Sequence, residues 1–291
     1  MTSNKPDRRS PYNVTWQLEE QVRYFEKSNP QKMATQTYER FNSEEVTDSM
    51  LTAAARLFSE NYGIWGVDTT GSASSASSAK PGERVKLGKK RLRDQYLPSG
   101  ADCSYVRVVV NGELAGNLFS CRWTWKDLSI CWITQLVVHR DYRERGLAVG
   151  LLNQLRQDDD DFYGIMSSHP AACLAAAKVF SNGINAVNLD TIREFAEPIM
   201  RTSPIDYVRD APLAGRAFDA EDKSGLGSAV HTQFFVDHGE PLQALAWVRE
   251  VMDWPLGDLL DGYEFLLVLP GRRRRRSRSR STESSVRNKT F

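Results

Sequence analysis

The residues with the clearest chemical potential are Arg143, Gly146 and Ala148, which stand where a charged turn runs into a helical pattern. Upstream, residues 130–139 form an apolar run ending in Leu136, Val137, Val138 and His139. Downstream, Leu147, Leu151, Leu152 and Leu155 recur at helical spacing. A small-residue turn between a strand and a helix leaves backbone N–H groups uncovered, and the helix dipole adds partial positive charge there. Such a turn suits a phosphate or pyrophosphate. Arg140, Arg143 and Arg145 add cationic character around it. A glycine motif this short also occurs in ordinary strand–turn–helix junctions with solvated arginines, so its meaning depends on its surroundings.

Several other side chains are candidates for proton transfer. His139 closes the apolar run and His169 precedes Pro170; an imidazole titrates near about pH 6.5, which suits a general acid or base. Each also has a structural reading, His139 as a solvated turn residue and His169 as the start of a helix. Tyr207 is a further phenol within reach from a later segment. The four cysteines (Cys103, Cys121, Cys131 and Cys173) form no CxxC pair, which excludes a zinc ribbon or a disulfide scaffold. Cys173 could share a helix face with His169, but without two more ligands no metal site is expected. Trp123 and Trp125 flank Thr124 and so share one face of a strand, where Trp132 can meet them. Core packing is the default for all three, a pocket wall the second reading.

The elements that must position these groups can be read along the chain. Its 291 residues are 41% hydrophobic, enough for one large core. No run approaches the roughly 18–20 apolar residues of a membrane span, and residues 1–9 lack the apolar stretch of a secretory signal. The net charge of +1 is uneven. Residues 271–291 carry eight Arg and one Lys against one Glu, which is +8 and leaves −7 for the rest. A polar extension is expected over residues 1–35, with a short helix near 16–25, and a first strand at 38–41. A helix should then begin at Asn42, with Glu45 completing a capping box and Val46, Met50, Ala53, Ala54, Leu57 and Phe58 on its apolar face. A mobile Ser/Ala/Gly loop over 71–84 and a helix at 88–96 follow. Asn111-Gly112 is a hairpin turn between strands at 105–110 and 114–125. Strands at 130–139 and 162–166, with helices at 147–156 and 170–180, give the order β-β-β-α-β-α and a parallel crossover. Beyond lie a helix at 189–200, a loop insertion at 202–227, a strand at 232–237, a helix at 242–252 with Leu242, Leu245, Ala246 and Val248 along one face, and a strand at 264–269. The Arg/Ser tail cannot pack.

In that order of elements, the pattern R-x-x-G-x-A at Arg143, Gly146 and Ala148, with Tyr142 before it, resembles the acetyl-CoA motif of the GNAT acyltransferase superfamily, including GNAT-domain proteins of filamentous fungi. The resemblance runs over residues 36–270. It implies an α/β fold with a central mixed, mostly antiparallel sheet, helices on both faces, and a splay between the fourth and fifth strands. It further implies that acetyl-CoA is the acyl donor. The pantetheine would pair with main-chain groups of Leu136, Val137 and Val138, with Ser168 or His169 as a further contact. The pyrophosphate would lie on the N–H groups of Glu144, Arg145, Gly146, Leu147, Ala148 and Val149, beside Arg143.

The chain departs from the family at two positions. Gln135 stands where many members have a basic Glu, and Phe180 where many have a Tyr that protonates the thiolate. His169 and Tyr207 are the substitutes the sequence offers. The resulting expectation is an acetyl-CoA-dependent N-acetyltransferase acting on a primary amine by direct attack in a ternary complex. Two rival readings are an inactive acyl-CoA sensor or scaffold, and a nucleic-acid-associated protein acting through its tail, which would make weak phosphate contacts. A cytoplasmic location is expected, with the basic tail also fitting a nuclear one.

Overall fold

The computed structural model describes residues 35–67 and 80–271. The N-terminal extension up to residue 34 with its expected helix, most of the Ser/Ala/Gly loop, and the tail from residue 272 lie outside the described residues.

Eight strands form one sheet: β1 (Gln36–Asn42), β2 (Asp102–Val110), β3 (Glu113–Trp125), β4 (Leu128–Val138), β5 (Phe162–Ser167), β6 (Leu213–Ala214), β7 (Ala229–His231) and β8 (Tyr263–Pro270). Their order across the sheet is β1-β2-β3-β4-β5-β8-β7-β6. Every neighbouring pair is antiparallel except β4 and β5. The helices packed around it are α1 (Asp48–Asn61), α2 (Lys89–Tyr96), α3 (Leu147–Asn153), α4 (Pro170–Phe180), α5 (Leu189–Arg201), α6 (Asp206–Arg209) and α7 (Gly239–Val251). This mixed α/β architecture is the one the GNAT resemblance implies.

Turn chemistry sets the hairpins. Asn111 and Gly112 both have positive φ, at 52° and 90°, the pairing a two-residue turn needs between right-twisted strands. Lys126 and Asp127 make the next turn, also left-handed, at 47° and 62°. The parallel step from β4 to β5 requires a crossover, and α3 supplies it, burying Leu147, Leu151 and Leu152. Gly164 in β5 lies under the Trp132 ring. A Cβ there would sit 2.0 Å from the indole, so only glycine lets that ring close the space between strands.

Several boundaries differ from expectation. The capping box of Asn42 and Glu45 forms, but it opens a single 3-10 turn, Ser43–Glu45. The helix itself starts at Asp48, capped by the Thr47 hydroxyl accepting from the Met50 N–H. That shift buries Leu51 and leaves Ala53 exposed. The strand expected at 232–237 lies earlier, at Ala229–His231. Gln233 adopts φ 55° and ends the extended run, after which Val236 makes one isolated bridge to Trp65. The 202–227 insertion contains α6 and β6 rather than loop alone. In α7, Leu245 and Val248 are buried, but Leu242 and Ala246 face outward.

Candidate active site

β4 and β5 pair only from Ile130 with Phe162 to Ile133 with Ile165. Past that point β4 continues beside β3, and β5 beside β8, so the sheet opens. A bulge begins the opening: Phe119 faces Gln135 and Ser120 faces Ile133, leaving Thr134 as the extra residue. Bulges bend a strand and re-aim its side chains. From Thr134 to Val138, no described strand flanks β4 on its β5 side. Main-chain groups there are available to an extended ligand.

A cavity of about 290 Å³ occupies the opening. Trp132, Ile133, Thr134, Gln135 and Leu136 of β4 line one side, with Ile165, Met166 and Ser167 of β5 and Ala172 of α4 opposite. Phe58, Tyr62, Trp65, residues 85–87 and 91, Gln95 and Tyr96 close it from the α1–α2 side. Tyr207, Thr232, Phe234 and Glu264 complete the wall. Four polar atoms of these residues are buried with no well-aligned hydrogen-bond partner among the described residues, Trp132 Nε1, Thr134 Oγ1 and both amide atoms of Gln135, although the Tyr96 hydroxyl lies beside the Gln135 side chain and the Tyr207 hydroxyl beside Thr134. An unpartnered buried polar group costs about 1–3 kcal/mol.

The structure brings Gln135 and Tyr207 together at this cavity. The Tyr207 hydroxyl donates to the Thr134 carbonyl at 2.7 Å, and burial raises its pKa well above the usual phenol value. That bond holds the bulge and commits the phenolic proton. Phe180 is elsewhere: it stacks on Tyr163 with ring centroids 3.8 Å apart, in the core. Trp123 donates to the Ile199 carbonyl and Thr202 Oγ1, and its ring lies 5.9 Å from that of Trp132. Of the three tryptophans considered together, only Trp132 lines the cavity.

Glu264 escaped the sequence reading. It sits deep in the protein at the start of β8, yet remains partly accessible through the cavity. Burial raises its carboxyl from the usual range to about 7, tempered by the Thr232 hydroxyl and the Ser168 N–H. Among the described residues no Lys, Arg or His pairs with it. The signal was present: a lone acid enters the apolar strand Tyr263–Pro270, on the same face as the fully buried Leu266 and Val268.

The Arg143–Ala148 turn adjoins the outer end of β4. His139 Nδ1 accepts from the Asp141 N–H at 3.2 Å and so caps the 3-10 turn Arg140–Tyr142. Glu144 and Gly146 adopt left-handed φ of 62° and 76°. Glu144, Arg145 and Gly146 are exposed, and a Cβ at Gly146 would meet nothing within 4 Å. Leu147 is buried, while Ala148 and Val149 are half-buried. Leu136 and Val138 are half-buried on the open part of β4, with Val137 buried between them. The Arg143 guanidinium donates to the Asn61 carbonyl at 2.7 Å and pairs with Glu240 of α7. His169, which caps α4 by accepting from the Ala171 N–H, has Nε2 3.6 Å from the same Glu240 carboxylate. Desolvation, with Arg143 adding to it, lowers the His169 pKa against the pull of Glu240. His169 therefore stands outside the cavity lining, and Ser168 is buried beside Glu264. Among the described residues no group of three or more His, Cys, Asp or Glu is placed to hold a metal ion. No described helix is long and apolar enough to cross a membrane.

No protein-family model matches the chain, and no curated protein matches it. Solved structures do. An aminoglycoside acetyltransferase from an uncultured soil metagenomic sample is 19% identical, covering 42% of this chain and 69% of its own, with a TM-score of 0.28. A ribosomal-protein-alanine N-acetyltransferase from Brucella melitensis is 17% identical, covering 42% and 70%, with a TM-score of 0.27. A GNAT-family acetyltransferase from Streptococcus pneumoniae is 14% identical, covering 49% and 82%, with a TM-score of 0.31. Each likeness spans less than half of this chain.

Proposed function

We propose that the protein is an acetyl-CoA-dependent N-acyltransferase that acylates a primary amine by direct attack within a ternary complex. The observation that carries this reading is the opening between β4 and β5, with its bulge at Thr134 and its exposed main-chain edge beside a glycine turn. The residues fit an acyl-CoA. The unpaired edge at Leu136, Val137 and Val138 offers an extended amide chain the hydrogen bonds of a missing strand. The open, left-handed Gly146 leaves room for a pyrophosphate over the N–H groups from Glu144 to Val149. Bound acyl-CoA supplies the thioester; the chain supplies orientation. Thr134 and Gln135 line the cavity in which, on this reading, the thioester would meet the amine. Holding an amine in line with an activated carbonyl accounts for much of such a rate enhancement. In this reading Arg143, joined to Glu240 and Asn61, both fixes the turn and lends its positive charge to the pyrophosphate.

The test is calorimetric titration of the full chain with acetyl-CoA, beside Gly146→Trp. Binding is expected for the natural sequence and not for the variant. The Arg-rich tail can attract polyphosphate by itself, and the variant keeps that tail. Equal binding by both proteins would move the ligand off this turn, and turnover with no amine despite binding would favour an acyl-CoA sensor.

A further inference from the structure

The acceptor side of the cavity has a charge pattern that narrows its substrate. Its floor holds a carboxylate, Glu264, with no cationic partner among the described residues. Around that acid stand Tyr62 at the C-cap of α1, Tyr96 of α2, Tyr207 of α6 and Cys173 of α4, each of which feels its charge. Burial raises all four, so they stay neutral where Glu264 ionises. The only charged groups among the lining residues besides Glu264 are Lys86 and Arg91, both exposed and therefore at the rim.

A buried, unpaired carboxylate is costly and is retained where a charge arrives to meet it. Tyrosine faces attract a cation as well. A basic rim opposes entry of a second positive group. The volume, about 290 Å³, is at the small end for ligand pockets. From these features we infer that the acceptor is a small monoamine with an apolar body, its ammonium held by Glu264 among the three tyrosines, and that Glu264 accepts its proton. This inference rests on the transferase reading for its chemical step and on the pocket alone for its binding step.

The step balances without a further reactant. The ammonium passes one proton to the Glu264 carboxylate, and the amine lone pair attacks the thioester carbonyl carbon. A C–N bond forms as the C–S bond breaks, and the second nitrogen proton ends on the departing sulfur. The Glu264 proton then returns to water through the cavity. Gln135, which cannot accept a proton, keeps an orienting role on the opposite wall.

The experiment titrates the full chain with benzylamine, benzyl alcohol and spermidine, with and without CoA, at pH 6 and pH 8. Because Glu264 titrates at about 7, benzylamine should bind about tenfold tighter at pH 8. Benzyl alcohol should bind weakly and without pH dependence, and spermidine more weakly than benzylamine. Glu264→Gln, checked for folding by circular dichroism, should abolish the pH dependence. Arg91→Ala should improve spermidine binding while leaving the benzylamine pH profile intact. Equal binding of benzylamine and benzyl alcohol, a flat pH profile in the natural sequence, or no amine binding in any state would overturn the inference. Amine acetylation by Glu264→Gln at the natural rate would overturn the proton-acceptor role. Glu264-dependent amine binding without acetyl-CoA binding would instead remove the transferase reading and leave the amine pocket standing.

Discussion

Among the described residues two acids lie deep in the protein, Asp160 beside the sheet and Glu264 within it, and they are treated in opposite ways. Asp160, at the entrance to β5, is almost fully enclosed. Its two oxygens accept from Nε and Nη2 of Arg122, each at 3.0 Å, and Ser129 Oγ donates to it at 3.3 Å. Arg122 also reaches the Leu155 carbonyl at the end of the crossover. That bidentate pair ties β3 to the loop that brings the chain back for β5, and its charge is spent within the fold. Glu264, at the opening of the sheet, has two neutral donors near it, the Thr232 hydroxyl and the Ser168 N–H, and lines the cavity. Where a charge is structural, the chain supplies its partner; where the partner is absent, the carboxylate is raised toward neutrality and faces a cavity. The difference separates an end of the sheet held together by a paired charge from an end where a raised carboxylate lines a cavity, the pattern of a candidate site.

The sharpest way to break this comparison is at Asp160. Asp160→Leu leaves Arg122 buried and uncompensated, which should cost roughly 3–5 kcal/mol in urea unfolding. A loss below about 1 kcal/mol would mean that the pair is solvated and that the two acids differ less than their geometry indicates.

At Glu264 the sign reverses. Its carboxyl lies at about 7 in the folded chain against 4.5 for a free side chain. The protonated acid therefore stabilises the fold below about pH 4.5, and that contribution is lost as pH rises through 7. Glu264→Gln removes this slope. At pH 8 the variant should be more stable than the natural protein, by up to about 3 kcal/mol, and the two should coincide at pH 4.5. A variant less stable at pH 8 would show that Glu264 is stabilised in its charged form by the fold, as Asp160 is.

The wall between the two regions gives a third test. Gly164→Ala would press a methyl into the Trp132 ring, and overpacking of this kind costs about 1–3 kcal/mol. Because Trp132 also lines the cavity, amine affinity should fall together with the melting temperature. Lost stability with unchanged affinity would confine Trp132 to the core side of the comparison.

How far the sequence revealed these regions depended on whether the determinants were local. The first hairpin was legible because Asn111-Gly112 decides its own backbone. The crossover was legible because an apolar strand, a glycine turn and a leucine-patterned helix follow one another directly. The R-x-x-G-x-A turn lies within that unit, and its meaning came from that setting and from the family motif it resembles, because spacing alone does not separate it from an ordinary junction. The cavity could not. Its walls come from α1, α2, β4, β5, α4, α6, the β7–α7 segment and β8, and nothing in residues 58–96 announces that they meet Glu264. The bulge at Thr134 likewise appears only when β3 and β4 are set in register. The misplaced strand near residue 232 has a similar cause, since an apolar run such as Phe234 to Val236 looks extended until Gln233 breaks it.

A third acid joins the two halves of the comparison and gives the smallest effect. Glu240 is exposed, at 63% of its side chain, and pairs with Arg143 while lying 3.6 Å from His169 Nε2. An ion pair this open contributes little to stability, about 0–1 kcal/mol, so Glu240→Gln should leave unfolding nearly unchanged. It does place a negative charge on the arginine beside the glycine turn, where the proposed pyrophosphate would bring more. Removing it should raise acetyl-CoA affinity by about two- to fivefold at low salt, an effect that shrinks as ionic strength rises. The amine pH profile should not move, because Glu264 belongs to the other side of the opening. Unchanged acetyl-CoA affinity would separate Arg143 from the ligand's charge and leave it as a brace between α1, α7 and the turn, a structural pair like Arg122 and Asp160 but one that water can reach.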